Sequence, residues 1–86
     1  MDDREKAIHS LKIARGQIDG IINMIEEGRY CVDISNQIIA SQSLLKKANM
    51  KILKRHLDHC VKDAILNNNG DEKIAEIMKV LEKVSK

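Results

Sequence analysis

An all-α chain of three helices, the middle one long, is predicted by three features of this 86-residue sequence. There is no proline, and the only glycines are Gly16, Gly20, Gly28 and Gly70, so residues 29–69 hold neither helix breaker. Apolar side chains recur at three- and four-residue spacing along the chain. No stretch alternates polar and apolar residues as a half-buried strand does. With no repeat, no low-complexity segment and no linker long enough to divide it, 1–86 reads as a single domain.

The first helix is expected to start near Asp2 or Asp3, with Asp2 and Glu5 as a capping pair. Ile8, Leu11, Ile18, Ile22 and Ile25 form its apolar stripe, interrupted by Arg15. In EEGR, Gly28 stands where a helix needs a left-handed residue to end. The GxxxG spacing of Gly16 and Gly20 predicts a close helix approach. The middle helix begins around CVDIS and runs through Ile38, Leu45, Ile52, Leu57 and Val61 to about Leu66. NNNGD then suits a stop: the asparagines and Gly70 as a left-handed cap, Asp71 as the cap of the next helix. Ile74, Ile77, Leu81 and Val84 lie on one face of that third helix.

The core this chain can build is thin. It has no Trp, no Phe and one tyrosine, Tyr30, so burial falls to aliphatic side chains of smaller area. A second copy covering the apolar faces is therefore expected. The opening MDDREK has no apolar signal segment and no apolar run is long enough for a membrane, which predicts a cytoplasmic protein. In that reducing compartment Cys31 and Cys60 are more often metal-binding or reactive than paired. A net charge of +2 does not by itself imply nucleic acid. The positive excess is concentrated between residues 30 and 70, with six basic against three acidic side chains.

Chemistry concentrates in HLDHC, residues 56–60. His56 and Cys60 are i and i+4 on a helix, one above the other, which is half of a soft-metal site. The only other thiol, Cys31, lies twenty-five residues upstream of His56, roughly 37 Å along a continuous helix. A metal–sulfur bond is about 2.3 Å, so one chain cannot bring the three donors to one ion. An antiparallel pair of chains can, setting Cys31 of one beside His56 and Cys60 of the other, twice per dimer. Two thiolates and an imidazole suit Cu(I), which accepts three donors; zinc would need a fourth ligand or water.

These residues resemble a known family. GQIDGIINMIEEGRYCVDISNQI (16–38), the twenty-five-residue step to His56, and HLDHCV (56–61) are similar to the CsoR/RcnR metal-sensing repressors, most of all their copper-sensing branch. The resemblance implies a disc-like homotetramer, a dimer of antiparallel dimers, with Cu(I) held in trigonal geometry by Cys31, His56 and Cys60. It also implies that Tyr30 and Glu76 stand beside the ligating histidine, whose spare ring nitrogen needs a partner to fix its tautomer. The metal-free form would repress transcription from operator DNA, and Cu(I) would release it. KKANMKILKR (46–55) carries five basic and no acidic side chains, and Lys47, Lys51 and Lys54 form a stripe suited to phosphates. In SLKIARGQ, Ser10 and Ile13 stand where many family members carry DNA-binding arginines, with Lys12 and Arg15 as the nearby charges.

Blander readings stand beside these. Free cysteines are often small buried hydrophobes, and the lysine stripe equally describes the solvated face of an amphipathic helix. His59 is rotated about 100° from Cys60 and is read as non-ligating, with His9 as ordinary surface. Nickel or cobalt sensing would call for more nitrogen or oxygen donors. Persulfide sensing would use the two cysteines without the histidine, and formaldehyde sensing the first cysteine and the extreme N-terminus. A plain helical interaction module would need neither cysteine. With no CxxC and no substrate-site motif, an enzyme is not expected.

Overall fold

The computed structural model describes residues 1–67 and 70–85, with the side chains of residues 60, 61, 64, 65, 70 and 85 excepted. It folds into α1 (Asp3–Glu26), α2 (Cys31–Asn67) and α3 (Gly70–Ser85). Asp2 caps α1: its carboxylate accepts the Glu5 backbone N–H at 2.7 Å. At the other end Gly28 adopts φ +69°. Its N–H donates to the Ile25 carbonyl at 3.1 Å, and that of Arg29 donates to Met24 at 2.9 Å. This is the paired closure that only a left-handed residue allows without strain. The turn is short, so α2 runs back antiparallel along α1, opening with the Ile34 N–H on the Tyr30 carbonyl at 3.1 Å.

Small residues set the α1–α2 packing. Ala7, Ala14 and Ser10 of α1 and Ala48 and Ser41 of α2 are all buried. Ser41 Oγ donates to Gln17 Oε1 at 3.0 Å, and Lys54 Nζ lies 3.5 Å from Asp3 Oδ2. In both pairs the residue numbers sum to 57 or 58, which gives the antiparallel register. The aliphatic stripe Ile8, Leu11, Ile18, Ile22 and Ile25 stays largely open, each of its members 41% or more exposed. A β-carbon placed on Gly16 or Gly20 would meet nothing within 4 Å, so that pair is not where the helices of one chain approach. Within the chain the alanine and serine seam takes that role because its short side chains let the two backbones close in.

α3 returns along α2 with Ile77 buried at 3% and Ile74, Leu81 and Val84 half-buried, as its apolar face predicts. Its start differs from expectation. Gly70 is already helical and Asp71 lies inside the first turn with Glu72, where the helix dipole favours carboxylates. The expected cap residues Asn68 and Asn69 lie outside the described residues.

The molecule measures 56 × 28 × 13 Å. A straight 37-residue helix is about 55 Å long and a helix with side chains about 10–12 Å thick. The chain is thus one helix deep, and α2 is an unbent rod along its length. α1 and α3 both pack on α2 and not on each other among the described residues. The radius of gyration, 17.1 Å, exceeds the roughly 12 Å of a compact domain this size. A layer one helix thick encloses only a narrow core, Ala7, Ala14, Ile21, Ala48 and Ile77 among the described residues, which is why so many aliphatic side chains stay open. No described helix is long and apolar enough to cross a membrane.

Candidate metal centre and nucleic-acid interface

Cys31 is the first residue of α2 and is exposed. His56, also exposed, stands twenty-five residues on in the same unbroken helix, a rise of roughly 37 Å and a net rotation of only about 20°. The two therefore share one face of the rod from opposite ends. Cys60 lies one turn beyond His56 in α2; its side chain, and with it the expected ligand role, lies outside the described residues. Between the ends, the same face carries Ile38 and Leu45, 41% and 43% exposed. With Ile18, Ile21 and Ile22 of α1 these line a groove of about 250 Å³. Among the described residues no three metal-binding side chains converge.

Tyr30, 67% exposed, precedes Cys31 at the far end of the rod from His56. Glu76 is exposed on α3. Its height along the rod follows from the contact that sequence reasoning missed: Lys73 Nζ donates to Asp63 Oδ2 at 2.7 Å across the α2–α3 hairpin. In an antiparallel hairpin with 73 opposite 63, residue 76 lies level with residue 60, beside the His56 turn. No described hydrogen bond joins Glu76 to His56 within the chain. The hydrogen bond and charge of Lys73 hold the Asp63 carboxyl below its ordinary value, slight desolvation opposes this, and His59 and His56 add to the lowering. A signal for this pair existed: Asp63 is i+4 from His59 and i+7 from His56, and a lysine lies just beyond the turn.

Of the expected phosphate contacts, Lys47 and Lys51 flank a groove whose opposite wall is α1. Lys54, 62% exposed, pairs with Asp3. Lys12 and Arg15 are exposed on α1 and are not among the groove's lining residues.

Both the sequence and this thin helical fold match proteins already described. The metal-sensitive transcriptional repressor profile matches residues 3–83. The chain belongs to that family, a family of regulators rather than enzymes. It is 40% identical over 84 residues to the copper-sensing transcriptional repressor CsoR of Bacillus subtilis, covering 98% of this chain and 83% of that one. Mycobacterial relatives of the same description are longer, and the chain spans 66% of the one from Mycobacterium ulcerans. In structure it resembles the Cu(I)-bound copper-sensing repressor CsoR from Geobacillus thermodenitrificans NG80-2, with TM-score 0.80, 39% identity, and 95% and 85% of the two chains covered. It also resembles the nickel-responsive transcriptional regulator InrS, with TM-score 0.76 and 26% identity over 93% and 90%.

Proposed function

We propose that this chain is a Cu(I)-responsive repressor of the cytoplasm, binding operator DNA when metal-free and leaving it when Cu(I) is bound. The observation that carries the reading is the shared face of Cys31 and His56 on a straight rod. Two rods laid antiparallel on that face bring Cys31 of one protomer to His56 and Cys60 of the partner subunit. The dyad then falls near Leu45, the midpoint between residue 31 and the 56–60 turn. The same step covers Ile18, Ile22, Ile38 and Leu45, which one chain leaves open, and an apolar surface of that extent on a small chain calls for a partner. Further pairing of dimers into the disc-like tetramer is the assembly the family resemblance implies.

The donor set fits the ion: thiolates and imidazole are soft, and three of them satisfy Cu(I) without a fourth ligand. Bound there, the ion would cross-link two protomers through ligands on different chains. His56 keeps one ring nitrogen free for a hydrogen bond. Glu76, on α3 level with residue 60 one turn from His56, and Tyr30, brought in beside the partner's Cys31, are the groups proposed to meet it. A contact made only in the metal-bound state supplies the differential free energy that coupling to DNA requires.

Likeness to the nickel-responsive regulator supports a second reading, in which the same intersubunit position holds nickel with added nitrogen donors. The test is an anaerobic titration followed by anisotropy of a labelled duplex from upstream of the protein's own gene. Cu(I) should bind one per subunit, be lost in Cys31→Ala and His56→Ala, and release the duplex. Release by Ni(II) with no response to Cu(I) overturns the copper reading in favour of the second.

A further inference from the structure

We propose that the Asp63–Lys73 ion pair is a positioning clamp: it fixes the height of α3 along α2, so that metal binding at the His56 turn is passed on to DNA. The inference rests on the repressor reading above and names a contact on which its coupling depends.

The pair stands beside the groups that the metal reading uses on both helices. Asp63 is seven residues beyond His56, two turns of α2 with only about 20° of net rotation, so the two lie on one face. Lys73 is three residues before Glu76, one turn of α3. Lys73 Nζ donates to Asp63 Oδ2 at 2.7 Å. With residue 73 held opposite 63, Glu76 is level with residue 60; any slip of α3 carries Glu76 away from that turn.

Apolar packing does not fix that height by itself. α3 lies against α2 with Ile77 buried and Ile74, Leu81 and Val84 half-buried. Aliphatic contacts are non-directional, and packed helices shift by about 1–2 Å between functional states. A charge-assisted hydrogen bond is directional, and a slide of about 1 Å breaks it. With the pair closed, a pull on Glu76 from a metal-bound His56 moves α3 as a body. With it open, α3 slides on its aliphatic face and absorbs the pull before DNA contacts change. Both side chains are more than a third exposed, so the pair adds little stability. Its contribution is register.

The experiment follows anisotropy of a labelled duplex from upstream of the gene, with and without Cu(I), together with an anaerobic Cu(I) competition titration. Asp63→Asn and Lys73→Gln should keep one Cu(I) per subunit and bind the duplex within about twofold of wild type when metal-free. Both should nevertheless cut the Cu(I)-induced loss of duplex affinity about tenfold. Lys73→Arg should retain the wild-type response, and the exchanged pair, Asp63→Lys with Lys73→Asp, should restore it, a recovery that lost packing would not show. Full release by Cu(I) in Asp63→Asn and Lys73→Gln, or loss of the Cu(I) site itself in both, overturns the clamp while leaving the repressor reading intact. So does a shift of metal-free affinity in opposite senses in the two variants with the Cu(I) response unchanged, which would mark a plain charge effect. Wild-type protein whose duplex binding ignores Cu(I) overturns the repressor reading, and the clamp with it.

Discussion

Cys31 and His56 share one face of a single straight helix yet stand twenty-five residues apart, roughly 37 Å along its axis. Two donors so placed belong to one site only if a second chain lies across the rod.

That arrangement has an unusual signature in mixtures. Cys31→Ala and His56→Ala homodimers should each lack tight Cu(I) sites. In an exchanged one-to-one mixture half the dimers are mixed, and each of those has one site with both changes and one with neither. About a quarter of the wild-type sites should return. A chelator-competition titration that recovers none would show that the donors act within one chain.

Leu45 is 43% exposed at the centre of the face bearing Cys31 and His56. Leu45→Glu should bury a charge wherever two such faces meet, shifting the protein towards monomer and abolishing Cu(I) binding while helicity remains. Sedimentation equilibrium at several concentrations reads the outcome; an unchanged mass would place the interface elsewhere.

The two kinds of small residue on α1 should respond in opposite ways. Ala14 is 1% exposed against α2, so Ala14→Leu overpacks the seam and should destabilise by about 1–3 kcal/mol. Gly16 is exposed with open space around its Cα. Gly16→Ala should stabilise by roughly 0.5–1 kcal/mol by removing backbone freedom from the unfolded chain. Urea denaturation of both variants checks this, and destabilisation by Gly16→Ala would mean that another chain packs there.

Lys73 and Asp63 tie α3 to α2 with a part-exposed ion pair, so its contribution is small at neutral pH. The Asp63 carboxyl is held below its ordinary value of 3.8. A depressed acid contributes stability above its unfolded value and loses it as pH falls through the folded one. Lys73→Ala should therefore lower the melting temperature by a few degrees at pH 7, with the difference closing below about pH 3.8. Thermal melts across pH measure it; a difference that persists in acid would show that Lys73 acts by packing instead.

The chain's own residues determined the helices almost to their ends. Proline is absent, Asp2 caps the start, Gly28 closes α1, and the long breaker-free run becomes one rod, because such signals act over a few residues of local backbone. The separation of Cys31 from His56 was legible for the same reason, since helical rise converts sequence distance into length. The apolar face of α3 was legible, but which faces of α1 and α2 are buried was not. Periodicity marks an apolar stripe but not what covers it, and tertiary packing put alanines and serines in the seam while leaving Ile18, Ile22 and Leu45 outside. Tertiary structure alone also decided that Lys6 and His9 line one groove with Lys47 and Lys51, and that Asp63 meets Lys73. Those pairings depend on the antiparallel register and interhelical distance, which arise only when whole helices pack.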